Sequence, residues 1–193
     1  MDKQLKPEGL FGALKALLMW FDGSSLRWVV IGGIAVSLLS RPRSTQDIDV
    51  MIFLEPGRWE AFLASGAEYG FNPRIDNAVG FAMENRVLLL RHQPTLTDVD
   101  ISFGALPFER ESIERSQTVQ IQNLSIPVPS VEDLIIMKAV ARRPVDMEDI
   151  RNILKLNRDI DSGRVRYWVK EFAGVLEMPE MLSELEAILQ EYG

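Results

Sequence analysis

Asp47-Ile48-Asp49 puts two carboxylates two positions apart at the head of an aliphatic run that continues through Val50, Ile52 and Leu54. In an extended strand such a pair projects from one face, roughly 6.6 Å apart along the chain, while the aliphatic residues take the other face into a core. Like charges held side by side repel, and the arrangement is costly unless a cation sits between them. The segment from Thr97 to Phe103 repeats the pattern, with Val99, Ile101 and Phe103 on one face and Asp98, Asp100 and Ser102 on the other. If the two strands pair, one of Asp98 and Asp100 joins the first two carboxylates. Three carboxylates can hold two divalent ions roughly 3.5–4 Å apart, which clamps the attacking and leaving oxygens of a phosphoryl transfer. Gly32-Gly33 adds a third piece. Glycine lets backbone approach a phosphate closely, and a helix opening there aims free N–H groups at the anion.

The elements around these residues follow from periodicity. Leu10, Phe11, Leu14, Leu17, Leu18 and Phe21 recur at helical spacing from Glu8, with Pro7 suited to the first turn and Gly23 to the stop. Arg27 to Ile31 reads as a buried strand, Ile34 to Ser40 as a short helix and Asp47 to Leu54 as a strand. Pro56 opens a helix through about Tyr69, with Trp59, Phe62 and Leu63 on its buried side. Phe81 to Met83, Val87 to Arg91 and Thr97 to Phe103 read as further strands, and Val119 to Ile121 with Ser125 to Val128 as a hairpin. Beyond Pro129 the chain turns helical: Ser130 caps a helix to Ala141, Pro144 starts another, and two more fill Asp161 to Gly174 and Pro179 to Tyr192. The expected class is α+β, a mixed sheet with flanking helices over residues 1–128 followed by a C-terminal helical bundle over 129–193.

Composition narrows the chemistry. The 193 residues include no cysteine and one histidine, His92, which excludes thiolate and multi-histidine metal centres. A metal held here is held by carboxylates, and that favours Mg2+ or Mn2+. With 28 acidic and 21 basic residues the net charge is −7, a poor basis for nonspecific binding along DNA or RNA. The opening residues lack the pattern of a signal peptide, and no apolar run approaches the roughly 20 residues that span a bilayer. A cytoplasmic protein without a membrane partner is expected.

Gly32-Gly33-Ile34-Ala35, Arg41, Arg43, Thr45 and Asp47-Ile48-Asp49-Val50 together resemble the signature of the polymerase-beta-like nucleotidyltransferase superfamily. The resemblance implies that Asp47, Asp49 and a third carboxylate bind divalent metal and act in catalysis, and that the Gly32-Gly33 turn holds a nucleoside triphosphate. Asp100, ahead of Ile101-Ser102-Phe103, matches the third carboxylate best, with Asp98 as the fallback. The likeness is nearest to bacterial abortive-infection, type IV toxin-like proteins. It extends to VPSVEDLIIMKAVARRPVDMEDI, where Lys138 corresponds to a phosphate-contacting lysine and Asp146 to its orienting or transferring carboxylate. Arg43 and Thr45 fall with the nucleotide-binding residues on the same basis.

The activity implied is transfer of a nucleoside monophosphate, with pyrophosphate leaving. The acceptor stays open among a tRNA 3′ end, a protein hydroxyl and a small molecule such as an aminoglycoside, and a toxin or antitoxin partner is implied alongside. Gln46 stands where many relatives carry a basic residue. Together with the acidic net charge, that motivates the alternative of a non-catalytic nucleotide-binding or interaction module.

Overall fold

The computed structural model describes residues 7–22 and 26–192. The chain divides into two compact units, Met1–Ile34 with Ser44–Val128, and Ala35–Arg43 with Pro129–Gly193. The expected stop at Gly23 lies outside the described residues.

In the first unit, α1 (Pro7–Asp22) precedes β1 (Trp28–Ile31), and α2 (Gly32–Leu39) begins directly on the glycine pair. Next come β2 (Asp47–Ile52), a single 3-10 turn (Pro56–Arg58), α3 (Trp59–Ala67), β3 (Phe71–Pro73) and α4 (Ala78–Asn85). The unit closes with β4 (Val87–His92), β5 (Thr97–Phe103), α5 (Pro107–Glu114), β6 (Gln117–Ile121) and β7 (Leu124–Val128). Five strands form one sheet in the order β1-β2-β5-β4-β3. Only the central β2–β5 pair is parallel, so the sheet is mixed as the alternation implied. β6 and β7 make a separate hairpin.

The core lies on one face of the sheet. Ile48, Val50 and Ile52 stand opposite Val99, Ile101 and Phe103, and Leu88 and Leu90 extend the same face from β4. All eight side chains are buried. Aromatic rings cover this layer: Trp59 stacks on Phe103 at 3.9 Å between centroids, and Trp20 of α1 stacks on Phe62 at 4.4 Å. Each such pair adds about 0.5–1.5 kcal/mol beyond the area it buries. Leu63, expected on the buried side of α3, is only half-buried.

The structure corrects one reading and adds two elements. Phe81 to Met83 is not a strand but the middle of α4, with Ala82 buried and Met83 exposed, because a three-residue apolar run fits a helical turn equally well. The overlooked signal is Asn77, whose side chain accepts a hydrogen bond from the Gly80 N–H and caps the helix. Helix α5 was missed although Pro107 sits in its first turn and Glu109 accepts from the backbone N–H groups of Ala105 and Leu106 at 2.7 and 2.8 Å. β3 is a three-residue edge strand, where Pro73 is tolerated and little periodicity can show.

The second unit holds α6 (Val131–Ala141), α7 (Pro144–Leu156), α8 (Ser162–Val175) and α9 (Glu180–Tyr192), together with the rest of α2. Ser130 caps α6 by accepting from the Asp133 N–H at 3.2 Å, and Asp161 caps α8 by accepting from the Arg164 N–H at 2.9 Å. Val165 and Val169 of α8, with Leu185 and Ile188 of α9, are buried. Outward, Arg166 pairs with Glu186, and Arg164 reaches the buried Asp133 at 2.8 Å, so the basic stretch of α8 is engaged within the bundle. Among the described residues no helix is long and apolar enough to cross a membrane.

Replacing Asn77 with Ala should remove the α4 cap and cost about 1–2 kcal/mol in urea denaturation. A strand at Phe81 to Met83 would make the substitution nearly neutral.

Candidate active site

The parallel register of β2 and β5 sets Asp47 opposite Asp98 and Asp49 opposite Asp100. Four carboxylates therefore share the face of the sheet away from the core, on strands about 4.8 Å apart. The aliphatic contacts underneath enforce this alignment, since a slip of one residue would turn the acids into the core.

The glycine pair lies against this row. β1 runs antiparallel to β2 with Ile31 opposite Asp49, so the next residue, Gly32, turns over that carboxylate. Gly32 has φ +64°, and a Cβ built there would fall 1.9 Å from Asp49 Oδ2. No other residue fits. The helix begins at Gly32 rather than at Ile34, and Gly33 is its buried second residue. At the other end of the DxD motif, the Thr45 hydroxyl donates to Asp47 Oδ1 at 2.9 Å and holds that side chain in place.

The remaining two acids carry arginines. Arg91, opposite Asp98 on β4, grips it with both ends of its fork, at 2.6 and 3.1 Å. Arg74, from the turn after β3, binds Asp100 and lies 3.5 Å from Asp98. Burial, more than any other influence, pushes the Asp100 carboxyl above the usual carboxylate range. Arg74 pulls the other way, and the charges of Asp47 and Asp98 push it up further. An ionised Asp100 is thus under strain even with its arginine.

The donor set fits a hard divalent ion. It consists of carboxylate oxygens alone, and a close-approaching backbone turn stands over one of them. Among the described residues no three His, Cys, Asp or Glu side chains are grouped to enclose a metal.

A separate charge cluster occupies the second unit. Lys138 is 3% exposed, and its Nζ lies 2.8 Å from Asp146 Oδ1 and 2.9 Å from Asp149 Oδ2. Arg43 Nε approaches Asp149 Oδ1 at 3.1 Å, and the Arg43 backbone exchanges hydrogen bonds with the Ser37 hydroxyl. Asp146 sits at the third position of α7, accepts from the Arg143 N–H and pairs with that guanidinium at 2.6 Å. Burial alone would raise the Asp146 pKa, but hydrogen bonds from Arg143 and Lys138, and their charges, hold it below the usual range. Lys138 is therefore a buried ion-paired group. His92 bonds Thr95 at 2.8 Å and burial pushes its pKa below the ordinary value, which fits a structural part.

Of the residues expected to act together, the structure brings Asp47, Asp49, Asp100 and Gly32 onto one surface, with Thr45 bonded to Asp47, and groups Arg43, Lys138 and Asp146 in the second unit. Arg74 was not anticipated, because a lone arginine in an irregular turn carries no periodic signal.

This fold recurs in nucleotidyltransferases. A crystal structure of an antigenic nucleotidyltransferase-like protein from Paracoccidioides brasiliensis shares it at TM-score 0.59 and 17% identity, covering 95% of this chain and 94% of that one. The solution structure of the antibiotic-resistance factor ANT(2'')-Ia aligns at TM-score 0.63 and 14% identity, covering 91% and 97%. The lincomycin-bound lincosamide antibiotic adenylyltransferase LnuA aligns at TM-score 0.52 and 14% identity, covering 79% and 99%. No curated protein matches the chain. Residues 10–183 match the family described as "Nucleotidyltransferase of unknown function (DUF6036)", and the chain belongs to that family. It is a nucleotidyltransferase by family.

Two measurements test this geometry. Gly32→Ala should cost well over the roughly 1 kcal/mol that a left-handed alanine costs alone, and in the Asp49→Ala background the excess should shrink by about 0.5–3 kcal/mol. Additive penalties in that cycle would refute the close approach. The lowered pKa of Asp146 adds stability that is complete above the ordinary carboxylate value near 4 and is lost as pH falls through the lowered folded-state value. Asp146→Asn should flatten the acid limb of a melting-temperature profile below about pH 4. Asp146→Ala, which deprives buried Lys138 of a partner, should cost about 3–5 kcal/mol at neutral pH.

Proposed function

We propose that the chain transfers a nucleoside monophosphate from a nucleoside triphosphate to an acceptor hydroxyl, in a Mg2+- or Mn2+-dependent reaction that releases pyrophosphate. The observation that carries this reading is the alignment of Asp49 with Asp100 beneath the Gly32 turn. Asp47, Asp49 and Asp100 would hold the metal, which when bound neutralises phosphate charge and clamps the reacting oxygens.

The roles of the side chains follow from their surroundings. Asp47 is held by Thr45 and cannot rotate away without breaking a hydrogen bond. Asp100 would complete the metal site and help to activate the attacking hydroxyl as the bond to phosphorus forms. The N–H groups that open α2 at Gly32 and Gly33 present positive dipole to the triphosphate. Positioning and charge supply most of the acceleration in such transfers. By the sequence resemblance, Arg43 and Lys138 would contact nucleotide phosphates and Asp146 would orient the lysine. Their cluster holds three cations, Arg43, Lys138 and Arg143, against two carboxylates, and an excess of cations suits phosphate.

For the acceptor we favour an RNA 3′ end or a protein hydroxyl, in keeping with the resemblance to abortive-infection proteins and a cytoplasmic toxin–antitoxin setting. A small molecule is the other arm, since ANT(2'')-Ia is an antibiotic-resistance factor and LnuA a lincosamide adenylyltransferase by name. The ion pairs of Arg74 on Asp98 and Asp100 favour a second reading, a module that keeps the fold and binds nucleotide or a partner without catalysis.

Each α-labelled nucleoside triphosphate, supplied with Mg2+ and with tRNA, cell lysate or an aminoglycoside in turn, should leave label on one acceptor. Asp49→Ala should lower that transfer at least about 100-fold. Absence of transfer with all acceptors, together with absence of triphosphate binding by calorimetry, would sink the enzyme reading. Triphosphate binding without transfer, unchanged in Asp49→Ala, would select the module.

A further inference from the structure

We propose that Arg74 is a stand-in cation of the carboxylate site: it holds Asp100 while no divalent ion is bound, and an ion entering at Asp100 must displace it. The inference rests on the reading above that Asp100 is a metal ligand.

Asp98 already has a two-pronged partner in Arg91, at 2.6 and 3.1 Å, so the longer reach of Arg74 to Asp98, at 3.5 Å, adds little there, and the main partner of Arg74 is Asp100. A guanidinium on a carboxylate fills the position and supplies the charge that a metal ion would otherwise bring. Arg74 occupies Asp100 Oδ1, and a metal ion cannot share that oxygen with it.

Departure needs no movement of the main chain. The Arg74 backbone N–H donates to the Leu89 carbonyl at 3.1 Å, which ties the residue to β4 while its side chain rotates. The side chain has somewhere to go. Arg74 also lines an open cavity of about 870 Å³, shared with Glu60, Leu63, Asp76, Asn77 and Val79. Two carboxylates, Glu60 and Asp76, line that space and offer the displaced guanidinium new partners. The swing therefore exchanges one acidic partner for another and leaves Asp100 open to the ion.

The consequence is competition. Metal binding releases Arg74, so the resident arginine weakens the site for free metal. Arg74 acts as a positioning residue through Asp100, and its removal has a sign that mere loss of structure would not produce.

The test titrates Mn2+ into the full chain without nucleotide and follows the electron paramagnetic resonance signal of free Mn2+. Arg74→Met keeps the side-chain stem and removes the charge, and should bind Mn2+ about tenfold or more tightly than the unmodified protein. Arg74→Gln should behave alike, and Arg74→Lys should stay within about threefold of the unmodified protein. All variants are read on protein that melts cooperatively. Equal or weaker binding in both Met and Gln variants overturns the proposal and leaves the metal reading standing. Failure of every protein, unmodified included, to bind Mn2+ at millimolar concentration overturns both.

Discussion

The first unit is organised around the repulsion of carboxylates fixed in parallel register. Asp47, Asp49, Asp98 and Asp100 cannot move apart, because Ile48, Val50 and Ile52 on one strand and Val99, Ile101 and Phe103 on the other are locked in the core beneath them. Burying six such side chains contributes on the order of 10 kcal/mol, well above the cost of crowding partly solvated charges. The apolar face thus dictates the geometry of the charged one. What neutralises the charge is left to side chains that arrive from elsewhere, and Arg91 and Arg74 do so here.

The same dependence explains Gly32. A strand pairing that sets Ile31 opposite Asp49 forces the following turn over the carboxylate, and only a residue without Cβ can occupy it. Backbone N–H groups and carboxylate oxygens are thereby brought close, which opposes partial positive to negative charge.

In the second unit, the cluster around Lys138 has the opposite charge balance. Lys138 is buried with two carboxylates, and the arginines at positions 43 and 143 reach the same pair from the exposed side. Such clusters are expensive to break and seldom add net stability over an apolar core.

Much of this was legible in the chain itself. Alternation marked β2 and β5 and divided each into a buried and an acidic face, and Gly32-Gly33 marked a turn. Pro144 and the cap at Ser130 marked two of the later helices. These are local signals, written within a few residues of the feature they specify. α4, α5 and β3 escaped because their apolar runs are short and their caps, Asn77 and Glu109, outweigh periodicity there. Whether Asp98 or Asp100 faces Asp49 was decided only when two strands separated by about fifty residues met in register, a matter of side-chain packing between distant segments. The reach of Arg74 from an irregular turn to Asp100 was likewise decided by tertiary structure alone, since no spacing along a chain encodes where a loop side chain ends.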